Sequence, residues 1–289
     1  MIRPMVDPAA HPVRSGRPDT LEEIELRSLR ERQPKLADAI DMHLELLAVQ
    51  RRVQGRIPLP SSELSANILS LHESQTRPLL RFEDIPLESS DLRLLMRQTT
   101  DIMRRFGVLE DADYQTLQTL ERDMTLLNVV EEWYRTGAQK HAELHLTDSG
   151  ALDQVLTLSM RPFLSRCAEV LQHCAELTIW SHAHCPLCGG EPDFSVITSA
   201  AERHLICGRC TFRWKFDPLA CPYCHNTDRS RITSFATPDG LYRVYACNAC
   251  KRYLKAYDAR RATRPVMPVV DSVATLPLDA TAMLRGYSG

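Results

Sequence analysis

The sequence predicts an α+β protein, with an amino-terminal all-α bundle followed by two tandem rubredoxin-like or zinc-ribbon modules. Two observations indicate this division. Apolar residues recur at helical spacing through the first two thirds of the chain, and eight of the ten cysteines form four Cys-x-x-Cys pairs in the last third. Charge changes at the same point, because residues 1–180 hold 21 Lys and Arg against 28 Asp and Glu, whereas residues 181–264 hold 13 against 7. We therefore place a boundary near Ser181.

Length and composition agree with an ordinary globular protein of about two domains. We predict a helical domain over 1–180, a first four-cysteine module over 181–220, a second over 221–264, and a closing helix and tail over 265–289. The opening stretch "MIRPMVDPAAHPVRSGRPDTLEE" has four prolines and mixed charges but no apolar export signal. No run approaches the ~18 uncharged apolar residues that span a bilayer. We expect a soluble cytoplasmic protein, in which thiols stay reduced.

Four apolar stripes predict a bundle of about five to seven helices. The stripes comprise Leu36, Ile40, His43, Leu44 and Leu47; Leu92, Leu95, Met96, Thr99, Ile102, Met103 and Phe106; Leu117, Leu120, Met124, Leu127, Val130 and Tyr134; and Phe163, Cys167, Val170, Leu171, Cys174 and Leu177.

Capping residues, prolines and glycines indicate where the predicted helices begin and end. Thr20-Leu-Glu-Glu23 has the spacing of a capping box, and Pro162 is favourable at a helix start. Gly107 and Gly137 are expected to end two helices. The segment 74–87 is predicted to be a long connection.

This part of the chain contains no known catalytic motif, such as a Gly-rich phosphate loop, a nucleophile elbow or H-E-x-x-H. Two turns of helix place Cys167 and Cys174 ~10 Å apart, which is too far for one metal or a disulfide. We therefore assign both, together with His43, to the core. Glu131 and Glu132 are expected on a solvated helix face.

The paired cysteines predict two tetrahedral metal sites. The pairs are Cys185/Cys188, Cys207/Cys210, Cys221/Cys224 and Cys247/Cys250, separated by 18, 10 and 22 residues. One Cys-x-x-Cys turn supplies half of a tetrahedral site, and a hairpin of ~15–20 residues returns the other half. The intervals of 18 and 22 residues fit such hairpins, and the interval of 10 fits a connector.

An internal repeat supports this pairing. "CPLC" and "CPYC" open the two units, and "CGRCTFRWK" and "CNACKRYLK" close them. Alternating segments between them, "FSVIT", "RITSF" and "LYRVYA", are typical of strands. The first site would use Cys185, Cys188, Cys207 and Cys210, and the second Cys221, Cys224, Cys247 and Cys250.

Several other interpretations of these residues are weaker. Cys221-Pro-Tyr-Cys224-His225 has the spacing of c-type haem attachment, but that chemistry normally follows export. His182 and His184 are less favoured ligands, because each site already has four thiolates. Thioredoxin-like redox chemistry needs one pair at a helix N-terminus, whereas here four pairs lie among strands.

Spacing does not separate zinc from iron, because both suit four thiolates in a tetrahedron. In either case a closed site leaves no position for water or substrate. We expect two ions, iron or zinc, that contribute folding free energy to a stretch too short to bury a large core.

The motifs "HCPLCGGEPDFSVI", "RHLICGRCTFRWKF", "LACPYCH" and "YACNACKRYLKAYD" resemble those of formate dehydrogenase accessory proteins, the FdhE family. The closing "PVVDSVATLPLDATAMLRGYSG" is also similar, and the resemblance covers about residues 184–287.

This resemblance implies a non-enzymatic cytoplasmic assembly factor. Its partner would be the catalytic subunit of a molybdenum- or tungsten-dependent formate dehydrogenase, with the eight paired cysteines as metal ligands and iron associated with the family. We expect no nucleic acid, membrane insertion or small-molecule substrate.

Exposed Arg209, Trp214 and Tyr223 are candidate anchors for the partner, although the hairpin core is the more favoured place for Trp214. The alternatives are a zinc-ribbon protein that binds nucleic acid, and an iron–thiolate redox partner of the client enzyme.

Overall fold

The computed structural model describes residues 19–60, 77–136, 146–147, 150–173 and 180–289. Within these ranges the amino-terminal part contains six α-helices, in agreement with the predicted all-α bundle. They are α1 (Leu21–Arg32), α2 (Ala37–Gln54), α3 (Ser89–Arg105), α4 (Asp111–Arg122), α5 (Leu126–Thr136) and α6 (Ala151–Leu171). Cys174, Leu177 and Gly137 lie outside the described residues.

The two predicted modules of the carboxy-terminal part lie side by side in one six-stranded sheet. Its strands are β1 (Pro192–Ile197), β2 (Arg203–Cys207), β3 (Arg213–Phe216), β4 (Ile232–Ala236), β5 (Tyr242–Cys247) and β6 (Tyr253–Asp258), in the order β3-β2-β1-β6-β5-β4. Each predicted module supplies three antiparallel strands. Parallel pairing of β1 with β6 joins the two modules. The division into four segments remains a proposal.

Two short helices close the fold, α7 (Pro268–Ala274) and α8 (Leu276–Leu284). Helix α7 packs Val269, Val270 and Val273 against α1 and α2. Asp271 on α7 is fully buried and accepts hydrogen bonds from Tyr242 of β5 and from Arg264 at 2.7 Å. The closing segment therefore ties the sheet to the helical part.

The helical part and the first module share one hydrophobic core. Residues of α2 to α6 cluster with Cys185, Leu187 and Trp214. Arg209 of the first module lies over the Trp133 ring at 4.2 Å and donates hydrogen bonds to two main-chain carbonyls near the end of α5. Cations are favourable at that end of a helix.

Several sequence predictions about the helices are confirmed. Thr20 and Glu23 form the capping box of α1, and Gly107 adopts a φ of 70° after α3. His43, which we assigned to the core, is instead half-buried, with its Nδ1 2.8 Å from the Ala39 carbonyl. The pair Glu131 and Glu132 is at the surface.

The uninterrupted spacing from Leu117 to Tyr134 predicted one continuous helix, but the structure has two helices there, α4 and α5. Asp123 accepts hydrogen bonds from both the main-chain N–H and the hydroxyl of Thr125, which forms a turn between α4 and α5. As a result Met124 is 94% exposed instead of buried.

Pro162 lies inside α6 and does not start it, which corrects the prediction from the sequence. A proline has no N–H to donate to the carbonyl four residues earlier, here that of Leu158. The buried Gln50 of α2 donates to this carbonyl at 2.8 Å instead. A side chain 108 residues away thus satisfies the acceptor and lets the helix continue.

We predict that Gln50→Leu lowers the free energy of unfolding by about 1–3 kcal/mol, because it leaves the Leu158 carbonyl without a donor. In the Pro162→Ala variant the N–H of residue 162 can donate to the Leu158 carbonyl. Gln50→Leu should therefore lower the free energy of unfolding clearly less in that variant. Urea denaturation of the four proteins measures the difference. Equal costs in both backgrounds would contradict the account.

Candidate metal centres

Four backbone turns of the same form present the paired cysteines. In each turn the N–H of the residue after the second cysteine donates to the carbonyl of the first, at 2.9–3.1 Å. The N–H of the first cysteine donates to the carbonyl of the residue two positions after the second cysteine, at 2.9–3.0 Å. The twofold repeat in the sequence is therefore a fourfold repeat in backbone structure.

The residue after the second cysteine has a left-handed backbone in all four turns. The φ angles are 74° at Gly189, 60° at Thr211, 58° at His225 and 61° at Lys251. Side chains other than glycine seldom adopt this conformation. Only the first turn has glycine at this position, and there an added Cβ would lie 2.8 Å from Cγ of Pro78.

The first site gathers Cys185, Cys188, Cys207 and Cys210, all of them buried. Cys185 and Cys210 bring their Sγ atoms to 3.6 Å, and the Sγ of Cys188 lies 3.5 Å from those of Cys207 and Cys210. A tetrahedron with metal–sulfur bonds of about 2.3 Å has sulfur–sulfur edges of about 3.8 Å, whereas a disulfide measures about 2.05 Å. The donor set and its spacing fit a tetrahedral thiophilic ion such as zinc or iron.

The electrostatics of the first site also favour a bound cation. Burial raises the pKa of the Cys185 and Cys210 thiols well above the ordinary value. Neighbouring thiols that donate hydrogen bonds lower the pKa of Cys188. Four thiolates are consequently unfavourable here by themselves, and a metal ion would provide the compensating charge.

The second site gathers Cys221, Cys224, Cys247 and Cys250 in the same arrangement. Cys221 and Cys250, and likewise Cys224 and Cys247, bring their Sγ atoms to 3.7 Å. Burial raises the pKa of Cys221 to about 12. Unlike the first site, this one reaches the surface, because Cys224 is exposed and Cys250 is half-buried.

No histidine joins either four-sulfur group within the part of the chain that the structure describes. His225 is exposed and occupies the left-handed position of its turn. His182 and His184 stack on each other at 5.8 Å and contact the edge of Trp180. Cys167 is buried in the core, as the sequence predicted.

Interactions around the sulfurs were not evident from the sequence. The N–H of Arg209 donates to Sγ of Cys207 at 3.4 Å. Main-chain N–H groups of Leu79 and Leu80 donate to the carbonyls of Pro186 and Leu187, in the middle of the first turn, at 2.8–2.9 Å. The connection before α3 thereby braces the first site from the helical side.

The comparisons with known proteins agree with this geometry. Residues 184–217 match the family model described as FdhE, central domain. The crystal structure of the FdhE protein from Pseudomonas aeruginosa has the same fold, with a TM-score of 0.66, 19% identity, and coverage of 92% of this chain and 91% of that chain. No curated protein matches the sequence. The resemblance to the FdhE family, including its α+β fold, is therefore confirmed.

We predict that a strong chelator removes the two ions of the metal-loaded chain in two kinetic phases of equal size. The faster phase belongs to the second site, because its sulfurs are open to attack. Cys224→Ser should abolish that phase alone, whereas His225→Gly should keep both ions. A colorimetric chelator follows the release. Loss of the slower phase in Cys224→Ser, or of an ion in His225→Gly, would refute the assignment.

Backbone strain at the turns gives another prediction. Lys251→Val places a β-branched side chain at a positive φ and should lower the free energy of unfolding by about 1–3 kcal/mol. Lys251→Asn should cost little, since asparagine tolerates this conformation. Thermal unfolding of the metal-loaded proteins compares them, and equal stability of the two variants would argue against the strained turn.

Proposed function

We propose that this chain is a non-enzymatic accessory factor that binds the catalytic subunit of a molybdenum- or tungsten-dependent formate dehydrogenase and assists its maturation in the cytoplasm. The observation that carries the proposal is the match to the FdhE central domain over residues 184–217, which contain the complete first four-cysteine site. The shared fold over 92% of the chain supports it.

The chemistry of the two sites supports an accessory role. All eight paired cysteines are proposed metal ligands, and four thiolates around each ion leave no coordination position for a substrate. The ions, iron or zinc, would stabilise the sheet and hold the loops between the strands in place. No helix among the described residues is long and apolar enough to cross a membrane.

The three anchors expected from the sequence are each engaged within the fold. Trp214 is 3% exposed and donates its Nε1–H to the His182 carbonyl. Arg209 is occupied by the end of α5, and the Tyr223 hydroxyl donates to the carbonyl of Pro192. A residue already held inside the fold is poorly suited to anchor a partner.

The basic surplus of the carboxy-terminal part gives little support to nucleic-acid binding. Many of its cations are paired with carboxylates, including Lys215 with Glu202, Arg252 with Glu191, Arg260 with Asp258 and Arg264 with Asp271. Recognition of phosphates needs cations that can exchange counterions for nucleic acid. An interaction with a protein partner accounts better for this surface.

We predict that the formate dehydrogenase catalytic subunit of the source organism co-purifies with the tagged chain. The double variant Cys221→Ser with Cys224→Ser should lose one ion and at least about nine tenths of the bound subunit, because the loops of the second module lose their support. The second site is the right target, since the first lies within the shared core.

His225→Gly serves as the matched control and should retain both the ion and the subunit. Quantitative mass spectrometry of the eluates measures the ratio of subunit to chain. An unchanged ratio in the double variant would exclude a role of the second site in docking, and absence of the subunit from the wild-type eluate would overturn the proposed function.

A further inference from the structure

A large cleft opens between the helical part and the sheet. Its volume is about 1490 Å³, which exceeds the 300–1000 Å³ usual for small-molecule sites. Both metal modules border it, the first through Gly190 and Arg209 and the second through Tyr223 and Arg252. Helices α2 and α6 contribute His43 and Thr157. A cleft of this size and position suits a segment of polypeptide better than a small metabolite.

Most charged side chains of the cleft are already satisfied. Arg252 pairs with Glu191 at 2.7 Å, and Lys255 pairs with Asp279 at 2.7 Å. Arg209 donates to main-chain carbonyls. These groups shape the walls and leave little free positive charge for an anionic ligand.

Asp193 is the exception. It is the second residue of β1 and is exposed to the cleft. Within the described ranges no other residue donates a hydrogen bond to its carboxylate or forms an ion pair with it. Its carboxylate lies against Gly208, where an added Cβ would come within 3.2 Å of Cγ. Desolvation by the surrounding protein raises the pKa of Asp193, whereas the positive charges of Arg161 and Lys255 lower it. The Arg161 guanidinium donates its hydrogen bond to the Gly208 carbonyl, at 2.9 Å.

His43 adds a second free acceptor to the cleft. Its Nδ1 lies 2.8 Å from the Ala39 carbonyl, which can only accept, so Nδ1 carries the proton. Burial lowers the pKa of His43 and favours the neutral ring, whose Nε2 then accepts. Among the described residues nothing donates to Nε2. Asp193 and His43 therefore both offer acceptor atoms to the cleft that have no donor among the described residues.

We propose that the cleft binds an extended segment of the partner polypeptide that carries a lysine or arginine, with the Asp193 carboxylate as the acceptor for its cationic side chain. A guanidinium or ammonium group offers several N–H donors and a positive charge, which match an unpaired carboxylate and a neutral imidazole. This inference rests on the proposed function, because it identifies where the client subunit contacts the chain.

The experiment uses overlapping 15-residue peptides that cover the formate dehydrogenase catalytic subunit, probed with the full metal-loaded chain. Bound peptides should share a lysine or arginine, and its replacement by glutamine should weaken binding at least about tenfold. Asp193→Asn should weaken the binding of these peptides by the same factor. Asp38→Asn makes the same charge change at an exposed position outside the cleft and should leave binding unchanged.

Thr157→Trp provides a second variant, because it fills the cleft without touching Asp193's charge, and it should also block binding. Metal content and melting temperature confirm that each variant is folded. Undiminished peptide binding in both Asp193→Asn and Thr157→Trp would overturn the cleft assignment while the proposed function stands. If the whole subunit does not bind the wild-type chain, the proposed function itself is wrong, and the cleft assignment falls with it.

Discussion

Holding four cysteine sulfurs within 4.8 Å of one another is unfavourable for thiolates without a positive charge between them, most of all where the sulfurs are buried. This protein creates that situation twice, through turns whose backbone hydrogen bonds aim two sulfurs in the same direction. The three-stranded units extend from these turns, and the sheet joins the units through β1 and β6. An ion at each cluster would convert the repulsive arrangement into the strongest link of the carboxy-terminal part.

The two clusters differ in what they support. The first lies in the core shared with the helices, where Arg209 and the connection before α3 hold it from the helical side, so its loss would disturb both parts of the molecule. The second lies at the surface, with Cys224 exposed, and is the site that a partner or another reagent can reach. The first site therefore contributes mainly to the stability of the fold, whereas the second is accessible from solvent.

Short-range patterns in the sequence predicted much of the fold, and long-range contacts explain the rest. Cysteine spacing identified both clusters, because the two cysteines of each pair are only three residues apart. Pro162 was misplaced because the donor that replaces its missing N–H is Gln50, on another helix. The helix break at Asp123 depends on a local side-chain turn within an apolar stripe that looks continuous. Pairing of β1 with β6 and the cleft itself bring together distant segments that no local pattern reveals.

X-ray absorption spectroscopy at the metal edge, on freshly purified full-length protein with a measured metal content, tests the central claim most directly. The account predicts two ions per chain, each surrounded by four sulfur atoms at about 2.3 Å and by no nitrogen or oxygen. Nitrogen or oxygen among the ligands, no more than one ion per chain, or cysteines joined as disulfides would contradict it.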